Sequence, residues 1–236
     1  MSGAIAIFVK TPGLSPIKTR LAVSLGTDPA ADFHLASARA VSAVIKAASE
    51  LDTIQGYFAV AEQEGLNHEY WDGLPCLWQG EGGLGERMAQ IYRALLDTHE
   101  FVILVGADIP QMTAADLLKA SAWLKHEEQA RFAFGPSFDG GFWLFGGNCP
   151  VPLNIWTGVN YSMADTGAQF HNKIEGLGEV LSLALLDDVD EPGDLQSLRK
   201  ALCELTEPLQ EQTELIRFLD ILSLTFGDNK VVNFSG

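Results

Sequence analysis

Two sets of charged residues, one near each end of the chain and joined by a lone aspartate between them, have the types that phosphate chemistry uses. The first is cationic. Lys10, Lys18 and Arg20 fall in the stretch Phe8-Val9-Lys10-Thr11-Pro12-Gly13-Leu14-Ser15-Pro16-Ile17-Lys18-Thr19-Arg20-Leu21. Ser15 and Pro16 read as the N-cap and first position of a short helix. Free backbone N–H groups at a helix start, with cations beside them, suit a di- or triphosphate. Lys10, Pro12, Gly13, Lys18, Thr19 and Arg20 are therefore the candidate phosphate loop. It is not a Walker A loop, because Ile17 stands where that motif needs glycine before its lysine. A solvated surface loop is the rival reading. Placement directly after the first strand weighs against it, since ligands of α/β sheets bind at the carboxyl ends of strands.

The second set is acidic. Asp108, in Val105-Gly106-Ala107-Asp108-Ile109-Pro110, follows the most apolar strand of the sequence. Asp188 and Asp190 lie two residues apart in Asp187-Asp188-Val189-Asp190-Glu191-Pro192-Gly193-Asp194. That spacing points both side chains the same way in an extended chain. Hard carboxylate oxygens suit Mg²⁺ or Mn²⁺. The rival readings are helix capping near Thr113 for Asp108 and a helix-start preference for the late cluster, Asp194 above all. Asp139, in Gly135-Pro136-Ser137-Phe138-Asp139-Gly140-Gly141, is a candidate general base or a plain turn residue. Gly85 and Arg87, in the Gly80–Met88 segment, open a helix whose amides could face a ligand. Trp156 and Tyr161 read as either an acceptor wall or core aromatics. The five histidines have no partner at metal spacing.

The elements that must position these groups alternate between strand and helix. Strands are expected at 4–9, 54–60, 101–105, 131–134, 142–145 and 180–186. Helices are expected after Ser15, from Asp28-Pro29 to about Leu51, from Leu84, over 114–125, over 163–174, from Pro192 and over 209–224. This alternation predicts an α/β fold with a mostly parallel sheet sandwiched by helices. Leu215, Phe218, Leu219 and Leu222 make an apolar stripe that would pack on the core or form a homodimer contact.

Composition narrows the partners. The chain has 236 residues and a net charge of −16, with 47% hydrophobic and 19% charged residues. That is ample for a buried core and leaves no basic footprint for nucleic acid. No run is long enough to span a membrane, and the first nine residues lack the basic start of a signal peptide. Three dispersed cysteines, Cys76, Cys149 and Cys203, imply neither a metal cage nor a disulfide framework, and a cytoplasmic setting is expected.

Taken together, these segments resemble bacterial radical-SAM/selenodomain-associated transferases, which are glycosyltransferase-like members of the GT-A nucleotide-diphospho-sugar transferase superfamily. They are similar to the guanylyltransferases that activate phospholactate or phosphoenolpyruvate. The pattern K-x-P-x-x-G-x-x-K-T-R-L is met by Lys10, Pro12, Lys18, Thr19, Arg20 and Leu21, with Ser15 in place of its glycine. Leu84 to Met88, Gly106 to Pro110, Gly135-Pro136 with Asp139 to Gly141, and Asp188-Val189-Asp190 with Pro192 and Asp194 follow in order. Glu191 departs from the usual threonine.

The resemblance implies a GT-A-like, Rossmann-like domain over 1–206; residues 207–236 lie outside it and read as a helical extension. It implies a nucleotide under the first loop and a divalent metal on Asp108, with Asp188 and Asp190. The expected function is a metal-dependent transferase using a nucleoside triphosphate or nucleotide-sugar and a small-molecule acceptor. Lys18, Asp108 and Asp139 are its candidate catalytic residues. A non-catalytic nucleotide-binding or regulatory protein is the alternative.

Overall fold

A computed structural model describes residues 2–125 and 129–227. The strands are β1 (Gly3–Val9), β2 (Ile54–Val60), β3 (Cys76–Trp78), β4 (Val102–Gly106), β5 (Arg131–Pro136), β6 (Phe142–Gly147) and β7 (Glu179–Ser182). They form one sheet in the order β3-β2-β1-β4-β6-β5-β7. Only β6 runs against its neighbours; the β1–β2, β1–β4, β2–β3 and β5–β7 pairs are parallel. The strand order reverses between β1 and β4. The carboxyl ends of β1, β4 and β5 and the start of β6 therefore share one edge, at the switch point where such sheets bind ligands.

The period-two alternation of the central strands divides the core. Ile5, Ile7 and Val9 of β1, with Ile103 and Val105 of β4, face α2 (Thr27–Leu51) and α4 (Ala114–Leu124). Ala4 and Ala6, with Val102 and Leu104, face α3 (Leu84–Leu96), α5 (Leu153–Thr157) and α6 (Thr166–Glu175). Both faces of the sheet are covered, which is why these strands read as continuous apolar runs. Trp156 is fully buried in the second layer, so the core reading of this residue holds.

A third apolar cluster joins α1 (Thr19–Leu25) and α2 to α7 (Asp194–Cys203) and α8 (Gln210–Gly227). Leu215, Leu219 and Leu222 of α8 are buried in it, so the C-terminal stripe packs inward. Gln212 is buried and its Nε2 donates to the carbonyls of Pro110 and Met112, at 2.8 and 3.2 Å. The extension thus braces the loop that follows Asp108. Residues 228–236 of the expected extension lie outside the described residues. No described helix is long and apolar enough to cross a membrane.

Some expected boundaries move: the strand expected at 180–186 ends at Ser182, the helix expected from 163 begins at Thr166, and the first helix starts late. The first helix begins at Thr19, not after Ser15, with Lys18 as its N-cap in a left-handed conformation (φ 43°). Residues 10–17 therefore form an extended loop rather than a helix start. Thr113 caps α4 in a reciprocal box with Asp116, which leaves Asp108 free of that duty.

Candidate active site

Asp108 lies just past β4, where the chain turns towards Pro110. The side chain of Lys18 is 6% exposed, and its Nζ stands 2.7 Å from Asp108 Oδ2 and 3.4 Å from Asp190 Oδ1. It also donates to the carbonyl of Val189. Arg20 Nη1 reaches the other oxygen of Asp190 at 3.2 Å. Lys18 and Arg20 of the first charged set thus meet Asp108 and Asp190 of the second in one ion-pair cluster. Val189 is fully buried in the third apolar cluster, which pins the backbone between the two aspartates. Asp194 does more than start its helix: its Oδ2 accepts from the N–H groups of Asp190 and Glu191, at 2.9 and 2.7 Å.

Burial alone would raise the carboxyl pKa of Asp108, but the Lys18 ammonium beside it holds it well below the usual carboxylate range. Burial would likewise lower the pKa of Lys18, and Asp108 and then Asp190 raise it instead. Both groups are charged. About a third of the Asp108 side chain is reachable, yet its Oδ1 is sealed and has no hydrogen-bond partner.

His34, buried on α2, is a site neighbour that sequence reasoning missed. Its Nε2 lies 3.1 Å from the carbonyl of Lys10, and its Nδ1 lies 3.8 Å from Asp108 Oδ1. A carbonyl only accepts, so Nε2 carries the proton and Nδ1 is the atom facing Asp108. At 3.8 Å that pair is beyond hydrogen-bond reach. No sequence signal marks this contact, because it spans 74 positions and the histidine sits in an alanine-rich helix. The loop carrying Lys10 is anchored as well: Thr11 N donates to Glu62 Oε2 at 2.8 Å, and Trp71 Nε1 donates to Thr11 Oγ1 at 3.0 Å. Ser37 ties α2 to the carbonyl of Ala107 at 2.6 Å.

Beside the ion pairs lies a cavity of about 310 Å³, walled by Asp108, Asp139 and Asp188 among apolar and aromatic side chains. Burial first, then Asp139 and Asp190, push the Asp188 carboxyl up to about 6. Asp139 serves the turn too, with Oδ1 accepting from Ser137 Oγ and Gly141 N at 2.7 and 2.8 Å. Tyr161 lines the cavity and donates to the carbonyl of Trp156 at 2.8 Å. Ser162, also on the wall, is with Lys18 one of two non-glycine residues with positive φ among those described.

The remaining candidates sit elsewhere. Lys10, Gly13, Thr19 and Arg20 are exposed and Pro12 is half-buried, along the open loop after β1. Gly85 is a packing residue: a Cβ there would stand 2.5 Å from the carbonyl oxygen of Trp156. Arg87 donates to the carbonyl of Gly82 at 3.0 Å. Among the described residues no three His, Cys, Asp or Glu side chains converge as a ready metal cage. Asp190 is turned to Lys18 and Arg20 and does not line the cavity, whereas Asp108, Asp139 and Asp188 do.

Residues 29–163 match the family described as "Uncharacterized protein conserved in bacteria (DUF2064)". The chain belongs to this family. For DUF2064, the matched region runs from α2 through the cavity wall and holds Asp108 and Asp139. No curated protein matches the sequence. A crystal structure from Desulfovibrio desulfuricans G20, provisionally named a nucleotide-diphospho-sugar transferase, is similar over 96% of this chain and 99% of its own, at 26% identity and TM-score 0.81. A cytidylyltransferase from Leptospira borgpetersenii shares the fold at 9% identity and TM-score 0.53, over all of this chain and 98% of its own. CMP:2-keto-3-deoxy-manno-octonic acid synthetase, solved with CTP, shares it at 9% identity and TM-score 0.52, over 86% of this chain and 99% of its own. The GT-A-like fold expected from the sequence is the fold observed.

Proposed function

We propose that this DUF2064 protein is a metal-dependent transferase acting on a nucleotide or nucleotide-sugar donor and a small acceptor. One observation carries the reading. Asp108, at the switch point of the sheet, keeps Oδ2 on Lys18 and has Oδ1 sealed against His34, while the reachable third of its side chain lines a cavity that it shares with Asp139 and Asp188. Three carboxylates around one cavity at a strand-end switch point suit a cation or a ligand that brings one. The near-complete overlap with the Desulfovibrio protein supports a nucleotide-linked donor.

Mg²⁺ or Mn²⁺ would be held by the carboxylates of Asp108 and Asp188 on the cavity wall, hard oxygen donors of the kind these ions take. When bound, such an ion would neutralise charge on the donor phosphates and on the departing group. The chain's own residues do the rest. Lys10 and Arg20 lie on the open side of the ion-pair cluster and would grip phosphate. Pro12, Gly13 and Thr19 shape that edge. Lys18 fixes the loop to Asp108 and Asp190. Asp139 would take the proton of a hydroxyl acceptor. Gly85 and Arg87 would act by shaping the start of α3.

Lys18 also supports a second reading. Its ammonium lies between Asp108 and Asp190, where an ion would otherwise balance both, and this suits a non-catalytic nucleotide-binding protein. Thermal stabilisation by a panel of nucleoside triphosphates and nucleotide-sugars, with and without Mg²⁺, separates the readings. Mg²⁺-dependent stabilisation that Asp108→Asn abolishes is expected for the transferase. Metal-independent stabilisation supports the second reading, and stabilisation by no member of the panel sinks both. Release of pyrophosphate or of nucleoside diphosphate in the presence of acceptors then distinguishes nucleotidyl from glycosyl transfer.

A further inference from the structure

The ion pair between Lys18 and Asp108 divides the ligand edge of the sheet into two halves of opposite character. On the β1 side stand Lys10 and Arg20, both exposed. On the β4–β6 side is the cavity, whose charged lining consists of three aspartates and no lysine, arginine or histidine. Its remaining walls include Phe8, Leu84, Met88, Phe142, Trp143 and Met163, with Ser137, Tyr161, Ser162 and Thr166 among them. Its volume, about 310 Å³, lies at the small end of the ligand-pocket range of roughly 300–1,000 Å³.

From this we infer that the cavity is the acceptor subsite, and that its acceptor is a small hydroxyl or amino compound with an apolar or aromatic body and no phosphate or carboxylate. The inference rests on the transferase reading and deepens it. An anionic acceptor would enter against three carboxylates with no cation on the wall to receive it. Of the three, Lys18 balances Asp108 alone, from behind the wall, and any divalent ion on the remaining carboxylates would face the phosphates that the donor brings. The aromatic and methionine walls give an apolar body its burial. In the transfer, the acceptor oxygen or nitrogen forms a bond to the α-phosphorus or sugar carbon. The bond to pyrophosphate or nucleoside diphosphate breaks, its electron pair leaves with that group, and the acceptor proton passes to Asp139.

The four methionines give a direct readout, because Met88 and Met163 line the cavity while Met112 is buried outside it. The full chain, labelled with ¹³C-methyl methionine, is titrated with 2-phenylethanol, 2-phenylethylamine and 2-phenylethyl phosphate, with and without Mg²⁺. The alcohol and the amine are expected to shift Met88 and Met163 but not Met112, with the phosphate ester binding at least ten-fold more weakly. Asp139→Asn with Asp188→Asn is expected to close most of that gap. Equal or tighter binding of the phosphate ester overturns the inference, as does silence at Met88 and Met163 with the alcohol and amine. Nucleotide binding is read separately by thermal shift, so its failure would remove the transferase reading while the charge preference of the cavity is still measured.

Discussion

Lys18 Nζ sits 2.7 Å from Asp108 Oδ2 and joins the loop after β1 to the turn after β4. The pair is an internal strut, because the lysine side chain is only 6% exposed and also holds Asp190 at 3.4 Å. Removing one partner leaves the other charge uncompensated. Lys18→Met should cost roughly 3 kcal/mol, the low end for a broken buried pair, since Asp108 is partly reachable by solvent. For a chain of this size that is a fall of about 6–12 °C in Tm. Mg²⁺ should recover more of this loss in the variant than it adds to the wild type, because the ion can then balance both aspartates. A melting temperature unchanged by the substitution would show that the strut carries no stability.

Asp188 predicts a pH dependence of definite sign. Its folded pKa of about 6 lies above the ordinary 3.8, so the folded protein binds this proton more tightly than the unfolded chain. Its contribution is most favourable below pH 4 and is lost as pH rises through 6. Asp188→Asn should therefore be near neutral at pH 4 and stabilising at pH 7.5. The gain should be roughly 1–2 kcal/mol after allowance for solvent screening. Denaturant titrations of both proteins across that range test it; a difference that does not grow with pH contradicts the assignment.

Two glycines with the same φ of +86° should respond differently to alanine. At Gly13 a Cβ would meet nothing within 4 Å, whereas at Gly140 it would lie 1.8 Å from the carbonyl oxygen of Ala164. Gly13→Ala should cost about 1 kcal/mol, from backbone strain alone. Gly140→Ala should cost at least about 3 kcal/mol, because the cavity turn must move as well. Comparable losses in urea melts would mean that the turn yields freely.

His34 should govern the order of the phosphate loop. His34→Ala removes the Nε2 donor from the carbonyl of Lys10. Amide hydrogen exchange over residues 11–15 should quicken, with a loss of roughly 1–2 kcal/mol. His34→Gln, which can still donate to that carbonyl, should restore much of the protection. Exchange unaltered by His34→Ala would leave Thr11 and its partners as the whole anchor.

Much of this architecture is legible in the chain itself. Phe101 to Val105 reads as a strand covered on both faces because only apolar residues occur there, and β4 is such a strand. Ile54 to Val60, the helix to Leu51 and the Thr113 cap follow from periodicity and local hydrogen bonding, which act over a few residues. The start of α1 was not legible. Ser15-Pro16 has the chemistry of a helix start, but Lys18 is drawn to Asp108 and Asp190, and the helix begins only after it.

The sequence by itself determined which residue types were available for the site and which strand ends would present them. It placed Asp108 past the central strand, cations after the first strand and aspartates after the last. Tertiary structure alone decided how they combine. Charges 82 to 172 positions apart met in one cluster, so Lys18 became a strut between carboxylates and Asp190 its partner. Asp188 was left with Asp108 on the cavity. His34 gained a role that no local pattern carries. The reason is physical: strands and caps are set by neighbours in the chain, whereas the strength of an ion pair depends on distance and burial, which only the packed sheet supplies.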